Sequence, residues 1–147
     1  MRALLARLRG LAPAAPSCGA RAETLAAATL AARGWRVLAR NWRNPADRRE
    51  EIDLVCTDGE VLVFVEVKAR AARALVPGYF AVDARKKRVL LRAVRAYLRG
   101  LRQPPRTVRF DVVEVVLGAE AAADGKTGAR VMHFENVPLF PRHFRGA

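Results

Sequence analysis

The chain predicts a single α/β domain, a mixed central sheet flanked by helices. Three features predict it: an alanine-rich helical stretch, two apolar strands meeting at Asp58-Gly59, and an arginine-striped helix before a further long strand. With 147 residues, 52% of them hydrophobic, the chain is long enough to bury one real core. The predicted bounds are a flexible N-terminal extension over residues 1–18, the domain over 19–137 and an irregular tail over 138–147.

Pro13 and Pro16 close the extension, and Arg7 and Arg9 interrupt its apolar part, so it is not read as a secretion signal. A first helix starts near Gly19–Arg21 and stops at Gly34, a residue that ends helices well. Glu23, Ala26, Ala27 and Leu30 share one face of it. Either Glu23 points inward with that face, or it lies at the edge of the first turn, where an acid favours the helix dipole. Trp35–Arg40 reads as a short strand broken at Asn41–Pro45, and a charged loop runs on to Glu50. Hairpin strands follow at about 51–57 and 60–68, then a loose segment, Ala69–Val82. Asp83 caps a second helix from Ala84 to Arg99, and Gly100 stops it. Thr107–Leu117 is a long strand, Gly118–Gly128 a loop and Arg130–Val137 a last strand. The order of the core is α-β-β-β-α-β.

A formal net charge of +13 points to a polyanionic partner, nucleic acid ahead of an anionic membrane surface. An arginine-rich proteome is the plainer source of the same charge. The two cysteines, Cys18 and Cys56, show neither metal spacing nor a disulfide framework, which suits a reducing cytoplasm. No apolar run approaches the roughly 18 residues that span a bilayer, so no membrane role is expected.

The hairpin carries the chemistry. In Val61–Lys68 one face bears valines and the other Leu62, Phe64, Glu66 and Lys68, so a central strand acquires an acid and a lysine. A two-residue turn at Asp58-Gly59 sets Thr57 opposite Glu60, Asp53 opposite Phe64 and Glu51 opposite Glu66. Asp53, Glu51, Glu66 and Lys68 then converge on one side of the sheet. Clustered acids on an apolar wall repel one another unless a cation sits between them, and hard oxygen ligands suit Mg²⁺ or Mn²⁺. Such an ion lowers the pKa of a bound water, and a lysine stabilises charge growing on a phosphate. The alternative is a surface ladder of ion pairs, since a bare E-x-K is common.

The runs RGWRVLARNWR, EIDLV, VLVFVEVKAR, AVDARKKRVL and VRFDVVEV, in order over residues 20–116, resemble the YraN-type family of small bacterial proteins. That family is predicted to belong to the PD-(D/E)xK nuclease superfamily and is similar to archaeal Holliday-junction resolvases. The resemblance implies a restriction-endonuclease-like fold, Asp53 and Glu66 as metal ligands and Lys68 as the catalytic lysine. It also implies that Glu23 turns its carboxylate into the site. The chain departs from the family pattern in carrying Glu50 where a glycine usually precedes E-I-D, and in a longer loop before it.

In the second helix Arg85, Arg88, Arg92, Arg95 and Arg99 form one stripe, opposite an apolar side of Leu90, Leu91, Val94, Tyr97 and Leu98. The stripe is either a solvated face or a track for phosphates. Lys86 and Lys87 lean towards the site from the first turn on the strength of the resemblance. Arg40, Asn41 and Arg43, around Trp42, offer further nucleic-acid contacts at a strand end; the alternative is that Trp42 simply packs a loop. Asp111 shares a face with Arg109, which predicts a structural ion pair; His133 and His143 receive no role. The expected activity is a Mg²⁺- or Mn²⁺-dependent DNA endonuclease, with DNA ahead of RNA. Analogy with resolvases, which need two active sites for two cuts, suggests a homodimer. The alternative is a nucleic-acid-binding or protein-interaction module that keeps the fold without turnover.

Overall fold

The computed structural model describes residues 16–71, 82–119, 128–142 and 144. The predicted extension as far as residue 15, the loose segment at 72–81, the loop at 120–127, His143 and residues 145–147 lie outside the described residues.

Ser17 opens α1 (Cys18–Ala32) by accepting the Ala20 amide. Alanine gives this helix its propensity and also its closeness to the sheet, because Ala22, Ala26 and Ala27 are buried with Leu30. At its end Gly34 takes φ +89°, and the amides of Gly34 and Trp35 bond back to the carbonyls of Ala31 and Leu30. Glycine reaches that left-handed conformation without strain. There follow β1 (Arg36–Arg43), β2 (Glu51–Asp58), β3 (Val61–Ala71), α2 (Ala84–Arg99), β4 (Thr107–Ala119) and β5 (Gly128–Phe134). The order α-β-β-β-α-β-β thus adds one strand to the predicted core order. The sheet runs β1-β2-β3-β4-β5, antiparallel except where β3 lies parallel to β4. A parallel pair needs a crossover, and the crossover here carries α2.

β3 is central and buried on both faces. Leu62 and Phe64 join Phe110 and Val112 of β4 under Leu90, Ala93, Val94 and Leu98 of α2. Val63 and Val65 join Val113 and Val115 under the alanines of α1. One helix therefore covers each face, and β3 and β4 supply both layers by simple alternation.

Two local expectations are corrected. β1 does not break at Asn41; it continues to Arg43. A bulge at Leu38, between the pairs Val37↔Cys56 and Ala39↔Val55, and a left-handed φ of 48° at Asn41 bend the strand without ending it. Asparagine tolerates that conformation better than most residues. The hairpin turn is Gly59-Glu60, not Asp58-Gly59, because Asp58 pairs with Val61. Gly59, at φ +57°, takes the first central position of the turn, where a left-handed residue is required. Every cross-strand pair slides by two residues, so Val55 and not Asp53 faces Phe64. A slide of two keeps the paired residues 54–58 on their own faces, whereas a slide of one would have reversed them.

Candidate active site

The ladder between β2 and β3 stops at Leu54↔Val65. Beyond it β2 stays with β1 as far as Arg43↔Glu51, and β3 stays with β4 as far as Ala71↔Leu117. The sheet forks there. Asp53 sits in the fork and its Oδ2 accepts the backbone N–H of Val67 at 2.7 Å, so a carboxylate replaces the partner that the ladder no longer supplies. The register of β1 sets Asn41 opposite Asp53, and Ile52 and Val55 enter the same apolar cluster although they are three residues apart. β2 therefore changes face at Asp53, beside the left-handed Asn41.

Glu66 follows one residue after the ladder ends. It is buried, on the α2 side of the sheet. Its Oε1 lies 2.9 Å from Lys68 Nζ and 3.2 Å from Lys86 Nζ. Its Oε2 is buried and has no hydrogen-bond partner among the described residues. An orphaned carboxylate oxygen in that setting is expensive, and here it lies beside a second acid. Burial first, and then the charge of Glu66, push the Asp53 carboxyl up to about 7; Glu23 adds to this, while the Val67 amide and Lys86 oppose it. Glu23 is half-buried on α1, and its Oε2 accepts a 2.8 Å hydrogen bond from Asn41 Nδ2. It reaches the fork from the α1 side as Glu66 does from the α2 side. Of the expected cluster, Asp53, Glu66 and Lys68 meet, whereas Glu51 turns to Arg43 at 3.0 Å. Among the described residues no three histidines, cysteines or acids gather closely enough to hold an ion between them.

Residues 22–115 match the model of an uncharacterised protein family, UPF0102. This protein belongs to that family. The chain is 45% identical over 101 residues to a UPF0102 protein of Chlorobaculum parvum, a match covering 69% of this chain and 76% of the relative. It is 45% identical over 116 residues to one of Anaeromyxobacter dehalogenans, covering 79% of each. A third, from Symbiobacterium thermophilum, is 45% identical over 114 residues, 78% of this chain and 91% of the relative.

The stretch that matches UPF0102 contains the fork and all its acids. It also contains the residues that the sequence offered as nucleic-acid contacts, and these divide into groups. Lys86 enters the site; Lys87, on the same turn, pairs with no carboxylate among the described residues. Arg85 and Arg88 are exposed and likewise pair with no acid there. Arg92 Nε donates to Glu50 Oε1 at 2.7 Å, and Arg95 lies over the Phe144 ring at 5.8 Å. Arg40 is exposed on β1, Arg43 holds Glu51 and Asn41 holds Glu23. Trp42 packs edge-on against Tyr97.

The roles of several residues of this UPF0102 chain escaped the sequence reading. Glu50 is buried and takes Asn44 Nδ2 at 2.7 Å on its second oxygen; that bond first, and Arg92 with it, hold its carboxyl below the usual range. Glu114 is a further buried acid, opposite Lys68 in the β3–β4 register and 3.8 Å from Arg70. An acid in an apolar run such as FDVVEVV was its only signal. His133, given no role, binds Asp111 at 2.9 Å, where Arg109 pairs as its spacing predicted. That cluster lies on the α1 side of the sheet, against Trp35.

Proposed function

We propose that this UPF0102 protein is a divalent-metal-dependent DNA endonuclease of the restriction-endonuclease-like, PD-(D/E)xK type. One observation carries the reading: Glu66 commits one oxygen to two lysines and keeps the other, buried and unpartnered, beside an Asp53 whose carboxyl resists ionisation. A divalent cation relieves both carboxylates at once, and hard oxygen donors fit Mg²⁺ or Mn²⁺. Asp53 and Glu66 would hold it, with Glu23 at the rim. When bound, the ion supplies Lewis acidity and a water of lowered pKa.

The chain's own residues do the rest. Lys68 and Lys86 fix Glu66 and present ammonium charge where a phosphate oxygen gains charge. Lys68, about one-quarter exposed, is also placed to orient the attacking water. The water oxygen forms the new bond to phosphorus, one ester P–O bond breaks, and the proton released by the water passes through solvent to the leaving oxygen. Asn41 holds Glu23 towards the fork. The net charge of +13 and the arginines of α2 favour a polyanionic substrate, DNA ahead of RNA. Branched or damaged DNA, in repair or recombination, and a homodimer follow from the resolvase likeness. A cytoplasmic setting suits two free cysteines, and no helix among the described residues is long and apolar enough to cross a membrane.

A second reading, a nucleic-acid-binding or protein-interaction module without turnover, has one observation on its side: two acids, not three, gather closely at the fork. Incubating the full chain with branched, single-stranded and duplex DNA, with Mn²⁺ and with EDTA, separates the two. The nuclease reading expects Mn²⁺-dependent cleavage that falls about 100-fold or more in Glu66→Ala and Lys68→Ala. Cleavage that survives either substitution sinks the site. Binding without cleavage on every substrate favours the module.

A further inference from the structure

One hollow in the structure is walled almost wholly by guanidinium groups. Arg49, from the turn before β2, and Arg85, Arg88 and Arg92, on one face of α2, line a space of about 350 Å³, with Val89 as the remaining wall. Four like charges around one space repel unless an anion enters it. Two carboxylates compensate in part: Asp47 grips Arg49 through Nε and Nη2 at 2.9 Å each, and Glu50 takes Arg92 Nε at 2.7 Å. The Asp47–Arg49 pair is exposed at the surface. Glu50 is buried and is itself held by Asn44, so Arg92 is aimed from the interior of the protein. Arg85 and Arg88 have no acid among the described residues, and Arg92 keeps both terminal nitrogens without one. The hollow therefore holds a net positive charge, with Arg49 and Arg92 held by carboxylates and Arg85 and Arg88 exposed.

We infer that this hollow binds a phosphate group, either an internal phosphodiester or a terminal phosphomonoester of a nucleic acid. The identity of the source rests on the function proposed above; the affinity for phosphate does not. Guanidinium forks match phosphate oxygens, and arginines already held in place lose less freedom on binding. The hollow is also well sited. Lys86, which touches Glu66, lies on the same helix, with Arg88 and Arg92 about 3 and 9 Å further along its axis at ~1.5 Å per residue. A strand advancing ~3.4 Å per nucleotide would thus set the held phosphate within about three nucleotides of the one at the fork. Arg49 completes the hollow from a loop that the helical stripe alone does not include.

The test measures binding of the full chain to a 3′-labelled duplex carrying either a 5′-phosphate or a 5′-hydroxyl, in EDTA, over a range of salt. Arg88→Gln should weaken binding about tenfold, and Arg49→Gln/Arg88→Gln further. The salt slope should fall by about one for each arginine removed. Arg102→Gln removes the same charge away from the hollow and should change affinity less than about twofold, since a remote exposed charge is screened. A loss confined to the 5′-phosphate duplex assigns a terminal phosphate; an equal loss on both assigns an internal phosphodiester. The inference is overturned if the folded double variant keeps wild-type affinity and salt slope, or if Arg102→Gln weakens binding as much as Arg88→Gln. Because EDTA prevents metal-dependent turnover, these outcomes are independent of whether the wild-type chain cleaves DNA with Mn²⁺.

Discussion

Asp53 is an acid held where its charge is unwelcome. Burial and Glu66 raise its carboxyl to about 7, from 3.8 in the open chain. The folded protein therefore holds that proton more tightly than the unfolded one. The stability this gives is full below about pH 4 and is lost as the pH rises through 7. Asp53→Asn, which still offers an oxygen to the Val67 amide, should match the wild type below about pH 4. At pH 8 it should be more stable, by on the order of 1–3 kcal/mol in denaturant melts. Mn²⁺ should narrow that gap by stabilising only the wild type. The acids and Lys68 were legible because charges among valines stand out. Asn41 was not: only the folded strand shows that its left-handed backbone turns the amide to Glu23.

Legibility followed how local each element's determinants are. α2 begins and ends where Asp83 and Gly100 predict, because caps act over a few residues. The hairpin slipped by two because Asp58, Gly59 and Glu60 offer two overlapping turns, and strand pairing chooses between them. The slip left Val55 on the face of Phe64 because a shift of two preserves parity. The turn before β2 was the least legible element, since its order depends on a distant helix. Glu50 closes it: its carbonyl accepts the Asn44 amide, its side chain accepts Asn44 Nδ2, and the same carboxylate holds Arg92. Glu50→Ala should cost about 1–3 kcal/mol in urea unfolding, as a buried network loses its shared acceptor. Glu50→Gln should recover part of this. The folded carboxyl lies below its ordinary value, so the wild type should lose this contribution as pH falls through that lowered value, while the Gln variant does not.

Across the whole molecule, alternation made the two apolar layers readable, but not what ties their ends. Asp111 is fully buried and accepts from Arg109, His133 and the Asn136 amide. Burial raises its carboxyl, yet these three partners outweigh burial and hold it below the ordinary range. Arg109 also reaches Asp58 at 3.1 Å, and His133 reaches Arg33 at 3.0 Å. One carboxylate thereby links β4, β5 and the chain after it to the hairpin turn and the end of α1. His133 was unreadable because its partners lie far off in sequence. Asp111→Ala should cost about 3–5 kcal/mol, because it strands the Arg109 guanidinium together with the His133 and Asn136 donors, with the loss read from urea midpoints. Leu38, at an exposed bulge, should tolerate a polar substitution within about 0.5 kcal/mol by the same measurement.

The fork also gives the protein an internal reporter. The Val67 amide proton bonds to a carboxylate that ionises near 7, not to another strand. Its NMR resonance should shift with a midpoint near that pH and move early when Mn²⁺'s diamagnetic counterpart Mg²⁺ is added. Its exchange with solvent deuterium should quicken in Asp53→Ala, while the amide of Val65, inside the intact ladder, stays protected. A single backbone proton would then follow the state of the site without substrate, label or turnover.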